Sequence, residues 1–143
     1  VPIIIIKNLK LEFGSNYLLF ILFITWINDI SAYIIGKKIG KTKLSKISPK
    51  KTIEGFLGSI IICMITCNWL VINLNIDLTI NSIFLAFIIS ISCNSGDLIE
   101  SLIKRKFHKK DSGYIMGGHG GILDRLDSLL IAAPVFYIIV LYY

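Results

Sequence analysis

The chain alternates long apolar runs with short polar segments, a pattern that is typical of helices crossing a membrane. The long runs lie at residues 16–35, 56–74, 83–103 and 129–143. Because a membrane-spanning helix needs about 20 mostly apolar residues, the pattern predicts an all-α membrane protein with a bundle of about four transmembrane helices. The apolar run at residues 1–6 is too short to predict a span.

The overall composition supports a membrane setting. The 143 residues are 55% hydrophobic, and the mean hydropathy of +0.76 exceeds that of ordinary soluble chains. This length predicts one membrane-embedded domain over residues 1–143, integral to the membrane and multi-pass. Cys63, Cys67 and Cys93 all lie in apolar runs, where small packing side chains are expected rather than disulfides or metal ligands.

Positive charge is concentrated in two loops. Seven lysines lie between residues 37 and 51, five Lys or Arg lie between residues 104 and 110, and none lies in the loop at 75–82. Positively charged loops tend to remain in the cytoplasm, so both basic loops are predicted to share the cytoplasmic face. Attraction of anionic lipid explains such loops, and attraction of an anionic nucleotide explains them equally well.

The first basic loop contains a predicted helix start. Ser48 precedes Pro49, which favours a helix that Ser48 caps and in which Pro49 takes the first position. Thr52 then falls in the first turn. Lys50 and Lys51 are disfavoured beside the positive end of a helix dipole unless an anion lies between them. Since helix N-termini bind phosphate, the segment predicts a phosphate site.

Carboxylates are costly at membrane depth and need a function or a partner. Asp97 and Glu100 are three residues apart, as are Asp124 and Asp127, so each pair projects from one face of a helix. Glycines beside each pair predict an irregular backbone that lines a polar cavity. Carboxylate oxygens suit a hard cation such as Mg²⁺, with phosphate completing its coordination.

Ion pairing is the alternative role for these carboxylates. Glu100 precedes Lys104 by one helical turn, and Arg125 lies between the two aspartates that follow the glycine turn. Asp97 has no cationic residue within a turn, which favours the metal role for it. Asp29 lies inside the first span and is a functional candidate by default; it could orient a lysine, contact a second metal or form an interhelical hydrogen bond.

A long glycine-rich loop extends over residues 104–121. Long ordered loops are usually functional. Within this loop His119 is flanked by Gly118, Gly120 and Gly121, which favours close approach of the backbone to a ligand. A single histidine does not make a zinc site.

Together these segments resemble the signature of the phosphatidate cytidylyltransferases, also called CDP-diacylglycerol synthases. The resemblance covers residues 26 to 134, most of the chain. It rests on Asp29-x(2)-Ala32-Tyr33-x(2)-Gly36-Lys37, on Ser48-Pro49-Lys50-Lys51-Thr52-x-Glu54-Gly55, and on Gly96-Asp97-Leu98-x-Glu100-Ser101-x-Ile103-Lys104-Arg105-x(4)-Lys110-Asp111-Ser112-Gly113, ending in His119-Gly120-Gly121-Ile122-x-Asp124-Arg125-x-Asp127.

The resemblance implies that CTP and phosphatidate give CDP-diacylglycerol and pyrophosphate, in phospholipid biosynthesis, at the cytoplasmic face of a bacterial-type inner membrane. The implied catalytic residues are Asp97, Lys104, Arg105, Asp124, Arg125 and Asp127. Nucleotide binding is implied for Ser48, Lys50, Lys51, Thr52, Lys110, Asp111, His119, Gly120 and Gly121. The implied cofactor is Mg²⁺, with a monovalent cation such as K⁺ as a second ion, at Asp97, Glu100, Asp124 and Asp127.

Family members are usually longer at the N-terminus, so the chain is expected to be either the C-terminal part of a longer architecture or a reduced form. The expected partners are CTP, phosphatidate and membrane lipid, with no nucleic acid and with a homodimer left open. The competing functions are a CTP-dependent lipid kinase of the polyprenol or phytol type, a non-catalytic membrane remnant, and a cation transporter. A transporter would need neither the basic loops nor the His119 turn.

Overall fold

The computed structural model describes residues 2–45, 48, 51–78, 80–106 and 123–142, with backbone alone for residues 2 and 123–127. Within these residues the chain forms α1 (Pro2–Phe13), α2 (Ser15–Ile39), α3 (Ile53–Asn73), α4 (Ser82–Lys106) and α5 (Leu123–Tyr142). An isolated antiparallel bridge joins Lys43 to Thr52 in the connection between α2 and α3. The predicted all-α membrane architecture is confirmed.

Four of the five helices overlap the predicted spans. Helices α2, α3 and α4 are long and apolar enough to cross a membrane, whereas the apolar part of α5, Ser128–Tyr142, is shorter. The apolar run at residues 1–6 forms the beginning of α1, a helix of 12 residues. Gly14, with a φ of 95°, separates α1 from α2, and this left-handed conformation favours glycine.

The predicted backbone irregularity beside Asp97 is wrong. Helix α4 runs without a break from Ser82 through Gly96 to Lys106. A glycine inside a helix destabilises it by only about 1 kcal/mol relative to alanine, and this is less than the cost of freeing backbone groups at membrane depth. The glycine therefore leaves Asp97 on a regular helical face.

The predicted cap of α3 is also wrong. The helix begins at Ile53, and Thr52 is its N-cap, with Oγ1 accepting a hydrogen bond of 3.1 Å from an N–H one turn into the helix. Ser48 lies upstream, where its carbonyl accepts from the Lys51 N–H at 3.1 Å. The Ile53 N–H donates to the Thr42 carbonyl at 3.0 Å. Thr52 itself is extended and is bridged to Lys43, so α3 begins after it and not at Ser48.

The core contains side chains from all five helices. Phe20 on α2 packs against Phe136 on α5 with ring centroids 5.2 Å apart. All three cysteines are buried and free: Cys63, Cys67 and Cys93. Their predicted role as small packing residues is confirmed, because they belong to the central hydrophobic cluster.

Helices α2 and α3 approach each other closely through glycines. A Cβ at Gly55 would lie 2.6 Å from the Ala32 carbonyl oxygen, and one at Gly36 would lie 2.8 Å from Thr52 Oγ1. Small residues allow membrane helices to pack with their backbones in near contact. The beginning of α3, and Lys51 just before it, are thereby held against α2.

Polar side chains collect at the two ends of the bundle. Helices α2, α3 and α4 alternate in direction, so the C-terminal ends of α2 and α4 lie beside the N-terminal end of α3. We call this the site end, and we call the opposite end, where Tyr17 contacts Asp77 at 2.9 Å, the far end. The described residues of both basic segments lie at the site end, in agreement with their predicted common face.

Candidate functional site

Two aspartates from different helices meet at the site end. Ser128 Oγ on α5 lies 3.0 and 3.1 Å from the two carboxylate oxygens of Asp29 on α2, and 2.9 Å from Asp97 Oδ1 on α4. Ser128 is buried, with 2% of its surface exposed. Because a hydroxyl carries one proton, it donates to one of these carboxylates at a time. Two carboxylates so close together can both remain ionised only if positive charge lies nearby.

Lys51 supplies part of that positive charge. Its Nζ lies 2.6 Å from Asp97 Oδ2, and the two side chains are 29% and 21% exposed. Hydrogen bonds between ionised partners are roughly twice as strong as neutral ones. Lys51 comes from the segment before α3, far from Asp97 in sequence. This cationic partner therefore does not lie within one helical turn of Asp97. Among these side chains, two carboxylates face one ammonium.

A cavity of about 520 Å³ lies beside this group. Small-molecule sites in proteins typically enclose about 300–1,000 Å³. The side chains on its wall that can contact a charged ligand are Asp29, Tyr33, Lys37, Lys51, Thr52, Asn94 and Asp97. Lys37 Nζ lies 5.8 Å from the centroid of the Tyr33 ring, within the range of a cation–π contact. The wall therefore offers carboxylates for a cation and ammonium groups for an anion.

The N-terminus of α3 has fewer free N–H groups for binding a phosphate than its sequence predicts. The Ile53 N–H donates to the Thr42 carbonyl at 3.0 Å, and Thr52 Oγ1 accepts from the Gly55 N–H at 3.1 Å. Glu54 also places a carboxylate in the first turn. The N–H groups of residues 53 and 55 are thus already bonded, and Lys51 is the described group of this segment that can contact an anion.

Glu100 lies one turn beyond Asp97 on α4 but is turned to a different partner. Its Oε2 accepts from Lys104 Nζ at 2.9 Å, which is the ion pair that the sequence offered as the alternative. Glu100 is 9% exposed, and its Oε1 has no hydrogen-bond partner among the described residues. Arg105 follows on the exposed side of α4. Of this predicted pair of carboxylates, Asp97 lines the cavity.

Several predicted site residues lie outside the described part of the chain. These are Lys50, Lys110, Asp111, His119, Gly120 and Gly121. For three more the structure describes the backbone alone, within the first turns of α5: Asp124, Arg125 and Asp127. Their predicted roles remain predictions. Ser48 is described, and its carbonyl bonds to the Lys51 N–H.

Two residues of the site, Ser128 and Asn94, were not predicted from the sequence. Asn94 precedes Asp97 by three residues, and Ser128 follows Asp124 by four. Residues at these separations share a helical face, so the signal was available. A serine or asparagine in an apolar helix has many possible roles, however, and only the meeting of α2, α4 and α5 makes these two part of the site.

Comparisons with known proteins identify the family of the chain. The model of the Cytidylyltransferase family matches residues 4–143. The chain is 43% identical over 136 residues to the phosphatidate cytidylyltransferase of Bacillus subtilis, covering 92% of the chain and 49% of that relative. It is 44% identical to the proteins of the same name from Staphylococcus haemolyticus and Aquifex aeolicus, over 133 and 131 residues, covering 90% of the chain in both cases and 50% and 48% of the relatives. The chain spans about half the length of these curated relatives, and it belongs to the cytidylyltransferase family.

Proposed function

We propose that the chain transfers a cytidylyl group from CTP to phosphatidate, giving CDP-diacylglycerol and pyrophosphate. The relatives named phosphatidate cytidylyltransferase support this reaction. The observation that carries the proposal is the convergence of Asp29, Asp97 and Lys51 on one cavity. A triphosphate and a lipid phosphate are both anionic, and such a site provides the opposite charges that bring them together.

Mg²⁺ is the proposed cofactor, and the described donors fit it. Hard cations take oxygen ligands, and two carboxylates here lie within 3.1 Å of one hydroxyl. The described side chains form no cluster of three or more His, Cys, Asp or Glu residues suited to a metal. In this proposal α5 completes the set with Asp124 and Asp127, and position 124 lies one turn before Ser128. A monovalent cation such as K⁺ remains part of the proposal.

The reaction needs positioning and neutralisation of charge more than a covalent intermediate. A phosphate oxygen of phosphatidate attacks the α-phosphorus of CTP, the bond to the β-phosphate breaks, and pyrophosphate leaves. Lys51 lies where it can contact the anionic phosphates, and Lys104 and Arg105 extend the basic surface along α4. Arg125 is the proposed group that stabilises the transition state. Bound Mg²⁺ would neutralise negative charge that develops on the phosphates.

The proposed location of this site is the cytoplasmic face of a bacterial inner membrane. The two basic loops support it through the positive-inside rule. Single cysteines at Lys41 and Asn75 test the orientation with an impermeant thiol reagent. We expect labelling from outside at position 75 alone; labelling at position 41 and not at 75 would reverse the topology. A homodimer remains a prediction.

CTP labelled at the α-phosphate or the γ-phosphate distinguishes this reaction from its main alternative, a lipid kinase. In detergent or nanodiscs, we expect label from the α-phosphate of CTP to enter the lipid only when phosphatidate and Mg²⁺ are present, and EDTA to stop it. Label from the γ-phosphate in the lipid would establish a lipid kinase instead, a function that the names of the relatives do not favour. No transfer by a folded preparation would favour a remnant or a missing partner segment.

A further inference from the structure

A cluster of buried polar side chains lies one helical turn deeper in the bundle than Asp97. We call it the polar node. Its members come from three helices, and each is at most 7% exposed: Asn28 on α2, Ser59 and Cys63 on α3, and Ser90 and Asn94 on α4. Asn94 also lies on the wall of the site-end cavity, and the other four residues have no role in the proposed chemistry. Burying a polar group costs free energy unless the group is hydrogen-bonded inside the protein. A cluster of such groups inside a membrane bundle therefore calls for a structural or functional explanation.

The side-chain oxygen of Asn28 joins the three helices. Asn28 Oδ1 accepts a short hydrogen bond from Ser90 Oγ, and it lies 3.4 Å from Asn94 Nδ2 and 3.7 Å from Cys63 Sγ. Asn94 Nδ2 also lies 3.2 Å from Ser59 Oγ. One amide oxygen thus contacts donors on both α3 and α4. Sliding α2 along α4 would break several of these bonds at once.

The polar node is connected directly to the carboxylates. Asn28 precedes Asp29 in α2, and Asn94 precedes Asp97 by one turn in α4. A bond between the two asparagines therefore fixes the relative position of the two aspartates. Asn94 also lies on the wall of the cavity that contains Asp29 and Asp97.

We infer that Asn28 is a positioning residue, which holds α2 in register with α4 so that Asp29 and Asp97 can bind the same metal ion. The observations behind this inference are the contacts of Asn28 Oδ1 with α3 and α4, made one residue before Asp29. The inference rests on the proposed function only in taking the two aspartates as part of the metal site.

Binding of Mn²⁺, as a spectroscopic substitute for Mg²⁺, tests this without turnover. The free-ion signal in electron paramagnetic resonance gives the affinity of the whole chain in detergent. We expect Asn28→Ala to weaken Mn²⁺ binding by about tenfold or more, and to lower kcat with little change in the KM for CTP. Ser90→Ala should act in the same direction. The double variant should lose little more than Asn28→Ala alone, because both residues act through one hydrogen bond.

Thr25→Val is the matched control. Thr25 is 2% exposed on the same helix, and its hydroxyl bonds to the Leu22 carbonyl at 2.9 Å. It should lower the melting temperature without weakening Mn²⁺ binding. If Asn28→Ala and Ser90→Ala lower the melting temperature but keep wild-type Mn²⁺ affinity, the polar node is structural and the inference is wrong. A wild-type chain that binds no Mn²⁺ would also overturn it, whereas Mn²⁺ binding by a chain that fails to transfer cytidylyl would overturn the proposed function alone.

Discussion

The two ends of the helical bundle contain cavities of similar size whose polar groups are bonded in different ways. The far-end cavity, of about 490 Å³, is lined by Glu12, Tyr17 and Asp77 among others, and the site-end cavity is about 520 Å³. At the far end, Tyr17 OH donates to the Asp77 carbonyl at 2.9 Å, and Asn16 Nδ2 donates to the Leu74 carbonyl at 2.9 Å. Both bonds use neutral donors: Asn16 donates to the C-cap residue of α3, and Tyr17 donates to the loop between α3 and α4.

At the site end the charged groups are crowded instead. Asp29 and Asp97 share one hydroxyl, and Lys51 lies 2.6 Å from Asp97. The volume of a cavity therefore does not identify the functional end, but the density of mutually dependent charge does. Removal of one of these charged groups should therefore lower activity strongly. Removal of a separately bonded group at the far end should not.

The largest effect should follow from removing the charge of Asp97. We expect Asp97→Asn to lower the rate of cytidylyl transfer by roughly 10³-fold or more, about 4 kcal/mol of transition-state stabilisation, with expression and membrane insertion unchanged. Asp77→Asn is the control at the far end, because the Asp77 backbone carbonyl, rather than its carboxylate, accepts the bond from Tyr17. Activity within tenfold of wild type for Asp97→Asn would remove Asp97 from the site.

Loss of the Lys51 ammonium should have the next largest effect. The Lys51 side chain lies on the cavity wall, and its proposed role is to attract the phosphates of CTP. We expect Lys51→Ala to raise the KM for CTP by about tenfold or more, the loss of a charge-assisted hydrogen bond of about 1.5–3 kcal/mol. Lys10→Ala, which removes an exposed lysine from α1, should leave the KM unchanged. An equal change in both variants would indicate general attraction rather than a specific contact.

Removal of the shared hydroxyl should have a smaller effect. Ser128→Ala leaves both carboxylates in place but removes the donor that both contact. We expect kcat to fall by about tenfold, near the lower end of the effect of one hydrogen bond to a charged group. Ser82→Ala removes a hydroxyl that bonds to Asn68 at 3.3 Å at the far end, and kcat should remain at the wild-type value. A wild-type kcat in Ser128→Ala would show that the hydroxyl only fills space.

The helices were predictable because a helix that crosses a membrane needs a long run of apolar residues. Helices α2, α3 and α4 follow directly from such runs. The predicted cap at Ser48 was wrong because it weighed local preferences alone, whereas pairing of Ile53 with Thr42 decides where α3 begins. The predicted backbone irregularity at Gly96 was wrong because one glycine cannot by itself break a helix whose backbone bonds have no alternative partner in lipid.

The site was only partly predictable for a related reason. Asp97 was identified from its own segment, since a carboxylate in an apolar helix stands out. Its partners Lys51 and Ser128 come from distant segments, and helical spacing alone does not show that either of them contacts Asp97. Glu100 shares a spacing with Asp97 but bonds to Lys104. Helical spacing shows that two positions share a face, and tertiary packing decides which partner each side chain finds.

The smallest effect should follow from removing the hydrogen bond between Tyr137 and Glu12 at the far end. Tyr137 OH donates to Glu12 Oε2 at 2.8 Å, and the bond joins α5 to α1 at the surface. Exposed bonds of this kind contribute little because water competes for both partners. We expect Tyr137→Phe to leave cytidylyl transfer unchanged and to lower the melting temperature by no more than about 2 °C. Tyr137→Phe keeps the ring that packs 6.1 Å from Phe13, so Tyr137→Ala should lower the melting temperature more. If Tyr137→Phe instead lowered activity by the same factor as Ser128→Ala, the two ends would be coupled through α5, and the contrast between a charge-dependent end and an independently bonded end would have to be abandoned.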